Sequence, residues 1–217
     1  MAEPARKTIL CYGDSLTWGY DPDGPSRHGI EDRWPSVLEA GLGGSVNVVA
    51  EGLNGRTTAF DDYLSGADRN GARVLPTVLE SHSPLDLVVI MLGSNDMKPW
   101  VHGHPLPARQ GMARLIGIVR GHAYPLDAEP PDVLIVSPPP LAPTQNVEFA
   151  EMFGHRLEAS RQLASQYSAL AEELGCGFFD AGSVATSSAL DGVHLDAEST
   201  RAIGEALAPI VRVMLEL

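Results

Sequence analysis

The chain has 217 residues, 15 Lys plus Arg against 28 Asp plus Glu, and a formal net charge of −13. That length fits one domain, residues 1–217, with a sizeable core, while the acidic balance and scattered basic residues argue against nucleic acid or an anionic membrane surface as partner. No window approaches the roughly 18 consecutive apolar residues of a membrane span, and the Lys7-to-Tyr12 run is too short for a secretory h-region, so a cytoplasmic setting is expected.

Along the chain, apolar runs alternate with stretches of helical periodicity, the pattern of a parallel sheet covered by helices on both faces. The expected class is α/β, a single three-layer αβα domain with a five-stranded parallel sheet. A first strand is predicted at Thr8–Tyr12, followed by Gly13-Asp14-Ser15-Leu16. A helix near Trp34–Leu42, with Pro35 in its first turn, precedes a second strand at Val46–Glu51 and the polar string Gly52-Leu53-Asn54-Gly55-Arg56. Next come a helix near Ala72–Ser81, a third strand at Leu85–Leu92 and the cluster Gly93-Ser94-Asn95-Asp96. A helix near Ala108–His122 leads to a fourth strand at Val133–Ser137, and the proline-rich Pro138–Pro143 stretch directly after it reads as a rigid loop rather than a linker. One long helix is predicted near Phe149–Leu174, then a fifth strand at Gly177–Asp180 and a last helix from Ala197 to Leu215, capped by Asp196. Cys11 and Cys176 fall in or beside strands, the setting of small buried thiols, and make neither a metal motif nor a disulfide framework.

Ligands of such a sheet bind outside the carboxyl ends of the strands, so the polar clusters after the strands should face one cleft. There Ser15 offers a hydroxyl and its own N–H, His194 an imidazole and Asp191 a carboxylate three residues earlier. This is the minimum set for hydrolysis through an acyl-serine intermediate. Asn95 can donate to an oxyanion through its side-chain amide, and Gly55 can bring a backbone N–H close because it has no Cβ. Each of these has a plain alternative. Asp14 and Ser15 could merely cap a helix, His194 could be a surface histidine, and Asn-Gly and Asn-Asp are common turn residues. Their joint placement favours the chemical reading.

The Gly-Asp-Ser-Leu block, the central Gly55, the Gly-Ser-Asn-Asp block and the terminal Asp-x-x-His together resemble the SGNH hydrolase superfamily, also called GDSL esterases. The strings from Gly13 to Gly19, Gly52 to Thr58 and Ser137 to Pro143 look like its bacterial arylesterase/acyltransferase branch. The resemblance implies the flavodoxin-like SGNH hydrolase fold, a catalytic triad of Ser15, Asp191 and His194, and an oxyanion hole of the Ser15 N–H, the Gly55 N–H and the Asn95 amide. It also implies that Asp14, Leu16, Tyr20, Ser94, Lys98, Phe149, Met152, Phe153 and Val193 line the substrate pocket. Two positions depart from those relatives, which carry alanine at Gly55 and tryptophan at Tyr20. The implied activity is hydrolysis of small short-chain esters, with acyl transfer to alcohols or peroxide, no cofactor and no metal. Insertions at 21–33, 98–107 and 141–153 would narrow the cleft and, if the relatives' habit holds, pack subunits into a homo-oligomer. Carbohydrate acetyl esterase and lysophospholipase or thioesterase readings belong to the same superfamily.

Readings from other classes fit less well. No Gly-x-Gly-x-x-Gly follows the first strand and no Gly-x-x-x-x-Gly-Lys occurs, which speaks against a nucleotide site, and Thr17 stands where an α/β-hydrolase elbow needs glycine. An anion-binding module at the Gly13-Asp14-Ser15 turn remains open, but it gives Asp191 and His194 no task. His102-Gly103-His104 and Asp61-Asp62 are candidate metal ligands whose default reading is a surface loop and a solvated turn.

Overall fold

The computed structural model of the chain describes residues 6–24 and 26–217. Strand β1 (Lys7–Gly13) leads into a four-residue helix α1 (Ser15–Trp18), and a small antiparallel hairpin pairs β2 (Tyr20–Asp21) with β3 (Ser26–Arg27). Then follow α2 (Trp34–Leu42), β4 (Val46–Gly52), α3 (Gly71–His82), β5 (Leu87–Met91), α4 (Pro105–Gly121) and β6 (Asp132–Ser137). The chain ends with α5 (Val147–Phe153), α6 (Leu157–Ser160), α7 (Leu163–Leu174), β7 (Gly177–Asp180) and α8 (Ala197–Met214).

The main sheet is five-stranded and parallel, in the order β4-β1-β5-β6-β7. Its central strands carry continuous apolar runs, Ile9 to Tyr12, Leu87 to Met91 and Val133 to Val136, because both faces are covered there. On one face α2 and α8 pack Trp34, Leu38, Ile203 and Leu207 against Ile9, Cys11, Val89 and Met91. On the other, α3, α4 and α7 bring Leu75, Leu115, Tyr167 and Leu170 against Leu10, Tyr12, Val88 and Ile90. The expected α/β class and layer order are therefore present.

Strand order decides where a ligand can sit. From β1 the chain moves outward to β4, then returns to the other side of β1 to lay down β5, so the direction of winding reverses between β1 and β5. At such a reversal the connections leave the strand ends in opposite directions and open a crevice. In register, Gly13 pairs with both Gly52 and Met91, so the segments that follow these three strands emerge side by side.

Three expectations need correction. The single long helix near Phe149–Leu174 is broken into α5, a 3-10 turn at Gly154–Arg156, α6 and α7. The break serves a tertiary contact: the Ser160 hydroxyl donates to the Leu157 carbonyl at 2.7 Å and accepts from the Leu141 N–H at 3.0 Å, tying the segment to the proline-rich loop. Strand β5 begins at Leu87 rather than Leu85, because Asp86 turns its carboxylate onto the Thr8 N–H at 2.8 Å and the Lys7 ammonium at 2.9 Å. Helix α4 starts three residues early, with Pro105 in its first turn, where a missing N–H costs nothing. Cys11 is fully buried in β1, Cys176 is half-buried just before β7, and both are free thiols. Among the described residues, no helix is long and apolar enough to cross a membrane.

Candidate active site

Asp14 follows β1 and caps α1, its Oδ1 accepting from the Leu16 N–H at 2.9 Å. This places Ser15 at the first helical position, where a backbone N–H has no intrahelical acceptor and stays available to a ligand. On the far side of the crevice, Asp191 organises its own turn. Its Oδ1 accepts the Val193 and His194 N–H groups, each at 2.9 Å, and its Oδ2 lies 2.6 Å from His194 Nδ1. A carboxylate can only accept, so Nδ1 carries the proton and Nε2 is left as the acceptor for the Ser15 hydroxyl, 2.9 Å away. Residues 179 positions apart thus form one continuous hydrogen-bonded chain. Burial would raise the Asp191 carboxyl, but the His194 ring and the two backbone N–H groups outweigh it and hold the group below the ordinary carboxylate range.

Aromatic rings fix the imidazole from outside the triad. Tyr20 stacks on His194 with centroids 4.0 Å apart, and Phe149 meets it edge-on at 5.8 Å. Asn95, in the 3-10 turn after β5, donates one amide hydrogen to Asp14 Oδ2 at 3.1 Å. Its neighbour Asp96 is fully buried and accepts from the Thr58 N–H at 3.0 Å and from the Thr58 hydroxyl, which ties the turn to the segment after β4. Burial raises the Asp14 carboxyl to about 6, against the pull of the Leu16 N–H, His194 and Asn95. It raises the Asp96 carboxyl to about 7, against the hydrogen bonds from Thr58.

These elements enclose a cavity of about 190 Å³. Of the residues expected at the site, Ser15, Tyr20, Gly55, Asn95, Lys98, Phe149, Met152, Phe153, Val193 and His194 line it, with Asp191 behind the imidazole. Three expected pocket residues do not. Leu16 follows Ser15 on a helix and so points about 100° away, into the core beside Trp34 and Leu38. Asp14 is spent on the helix cap and on Asn95, making it a positioning residue. Ser94 is buried under the 3-10 turn, its carbonyl accepting from the Met97 N–H at 3.2 Å.

Asn54 also lines the cavity, and its side-chain oxygen is buried with no hydrogen-bond partner among the described residues. Asn-Gly reads as a turn signal, which masked it; its place between the glycines of a strand-end string was the available clue. The candidate metal ligands do not gather into a cluster of three or more among the described residues. His102 packs edge-on against Phe60 at 4.2 Å, Asp61 is held by Arg73 and Asn70, and Asp62 accepts from Lys98 Nζ and Trp100 Nε1, each at 3.1 Å.

A hydroxyl, an imidazole and a carboxylate in line at the switch point of a parallel sheet form the relay of a serine hydrolase. The GDSL-like lipase/acylhydrolase family model matches residues 11–202, and the chain belongs to that family, which makes it a carboxylic ester hydrolase. Among solved structures, a carbohydrate acetylesterase family member from Sinorhizobium meliloti is 62% identical, with a TM-score of 0.96 over 97% of this chain and 100% of that one. The aryl esterase of M. smegmatis is 44% identical, with a TM-score of 0.92 over 96% and 100%. Est24, a carbohydrate acetylesterase from Sinorhizobium meliloti, is 40% identical, with a TM-score of 0.90 over 96% and 100%. No curated protein matches the chain.

Proposed function

We propose that this esterase hydrolyses small, short-chain carboxylic esters through an acyl-serine intermediate. The observation that carries the reading is the Ser15–His194–Asp191 relay, with 2.9 and 2.6 Å links, opening on a cavity of only about 190 Å³. Sites for drug-sized ligands typically enclose roughly 300–1,000 Å³, so the space suits a short acyl group better than a fatty chain. Similarity to an aryl esterase and to carbohydrate acetylesterases supports small esters as the class.

In this mechanism His194 Nε2 takes the Ser15 proton as Oγ attacks the ester carbonyl, and Asp191 stabilises the imidazolium that forms. The Ser15 and Gly55 N–H groups and the Asn95 amide receive the developing oxyanion. Collapse breaks the bond to the alcohol oxygen, which leaves with the proton from His194. Water, deprotonated by the same imidazole, then attacks the acyl-serine and releases the acid. A second alcohol in place of water gives a new ester, and peroxide gives a peracid. The apolar wall of Phe149, Met152, Phe153 and Val193 favours such transfer by seating the acyl group away from bulk water while an acceptor alcohol enters where the first alcohol left.

The test is turnover of 4-nitrophenyl esters from acetyl to dodecanoyl. Wild type should act on the short members only, and a folded Ser15→Ala variant should lose about 10⁴-fold or more. Equal rates on dodecanoyl and acetyl esters would refute the small pocket, and activity surviving in Ser15→Ala would refute the nucleophile.

A further inference from the structure

One flank of the catalytic cavity carries polar groups for which the acyl-transfer chemistry has no use. Asn54 Oδ1 and Arg69 Nε are both buried and both lack a hydrogen-bond partner among the described residues. Buried polar atoms are usually paired in folded proteins. Thr17 Oγ1, Trp34 Nε1, Arg56 Nε and Arg156 Nε also lack partners among the described residues, but none of those residues lines the catalytic cavity. Asn54 does line it, and Arg69 stands directly behind its Gly55 wall, a juxtaposition that calls for a ligand. Asn54 and Arg69 flank Gly55. A Cβ there would lie 3.4 Å from Arg69 Nε and 3.7 Å from Lys98 Nζ, and Gly55 has a φ of +82°, so the backbone is bare where the two cations converge. Lys98 is already engaged with Asp62, which leaves the Asn54 oxygen and the Arg69 guanidinium as the unspent pair. On this side Arg69 and Asp62 line a second, polar cavity of about 320 Å³, so the flank has room beyond the acyl pocket.

We propose that Asn54 and Arg69 form a specificity-determining subsite for a free hydroxyl on the alcohol part of the ester, adjacent to the ester oxygen. The choice of ligand follows from donor and acceptor capacity. Asn54 Oδ1 needs a donor and Arg69 needs an acceptor, and a hydroxyl is both at once. A carboxylate would satisfy Arg69 but set a second acceptor against Asn54. An unsubstituted aryl or alkyl group would satisfy neither and would leave both orphans buried under it. The preferred substrates are therefore monoesters of diols and polyols, with the acyl group against the aromatic wall and the hydroxylated carbon on the Gly55 side. This inference rests on the acyl-serine reading of Ser15.

The experiment measures kcat/KM for 2-hydroxyethyl acetate, 2-methoxyethyl acetate and propyl acetate with wild type, Asn54→Ala, Arg69→Met and Arg69→Lys. Wild type should prefer the hydroxyethyl ester. The ratio of hydroxyethyl to propyl ester should fall about tenfold in Asn54→Ala and in Arg69→Met, the loss of one well-made hydrogen bond, and recover in part in Arg69→Lys. The methoxy ester, which accepts but cannot donate, should lose to Arg69→Met but respond little to Asn54→Ala. A purely structural role would lower all three rates together and leave the ratios unchanged, and that result overturns the subsite. So does a wild type that hydrolyses propyl acetate equally well. If wild type hydrolyses none of the esters faster than Ser15→Ala, the esterase reading itself falls and the subsite with it.

Discussion

The Asn95 amide donates one hydrogen to Asp14 Oδ2 at 3.1 Å, which fixes the plane of the group and leaves its second hydrogen for the cavity that Asn95 lines. Removing that donor should cost about 10²–10³-fold in kcat, the usual effect of losing one oxyanion-hole hydrogen bond, with KM changing far less. A folded Asn95→Ala enzyme with near-normal kcat would take Asn95 out of the oxyanion hole. Asp14→Ala should lower kcat by a smaller factor, about tenfold, because the amide keeps its hydrogen but loses its fixed orientation. Steady-state kinetics on 4-nitrophenyl acetate separate the two. The structure brings Ser15, Asp191 and His194 together as the chain suggested. Each alone has a plain structural alternative, and it was their joint placement beyond strand ends and the family resemblance that singled them out. Asp14, Leu16 and Ser94 misled for a matching reason: neighbours of a catalytic residue share its sequence motif but not its direction. On a helix or tight turn the next side chain points elsewhere, as Leu16 does.

At the level of elements, the strands were legible because a sheet buried on both faces demands continuous apolar runs, and Ile9 to Tyr12 or Val88 to Met91 can hardly read otherwise. The α5-to-α7 segment was not, since Phe149, Met152, Phe153, Leu157, Leu163, Tyr167 and Leu170 stay close to helical spacing across the breaks. What bends it is a bond from Ser160 to Leu141, which no local pattern encodes. The same proline-rich loop also pins the triad. Ala142 donates to the Gly192 carbonyl at 2.8 Å, and Gly192 donates to the Ser188 carbonyl at 2.7 Å. Gly192 has a φ of +78°, and a Cβ there would come within 2.3 Å of the Ala142 oxygen. Gly192→Ala therefore meets a left-handed backbone penalty of about 1–2 kcal/mol and a backbone clash besides. The two together should lower Tm by at least about 4 °C. Because the displaced residues are Asp191 and His194, kcat should fall by about 10²-fold, as a misplacement of about 1 Å can cause. Calorimetry and kinetics on one preparation check both, and a Gly192→Ala enzyme with wild-type Tm would show that the loop relaxes freely.

For the molecule as a whole, the two buried carboxyls beside the site set the pH dependence of stability. Asp14 is raised to about 6 and Asp96 to about 7, both by burial, from an ordinary 3.8. Between about pH 4 and those values the folded chain holds protons that the unfolded chain has released. Stability therefore falls as pH rises through this window, by up to about 1.4 kcal/mol per pH unit for each carboxyl. Asp191 has the opposite sign: held low chiefly by its contact with His194, it contributes stability that is lost only as pH drops below the ordinary carboxylate range. Thermal stability should accordingly peak near pH 4, where the two effects meet, and decline toward pH 7. The net charge of −13 pushes the same way through self-repulsion. Salt distinguishes the two causes, because at 1 M the screening length is about 3 Å and surface repulsion disappears while a buried carboxyl is barely screened. Asp96→Asn, which keeps an acceptor for Thr58 but has no proton to lose, should flatten the decline between pH 4 and 7 at 1 M salt. Scanning calorimetry across that range reads the slope directly. A wild-type Tm that stays level there would mean that both carboxyls ionise inside the fold as readily as in water, and that burial at the crevice floor is offset by Asn95, Thr58 and Arg56.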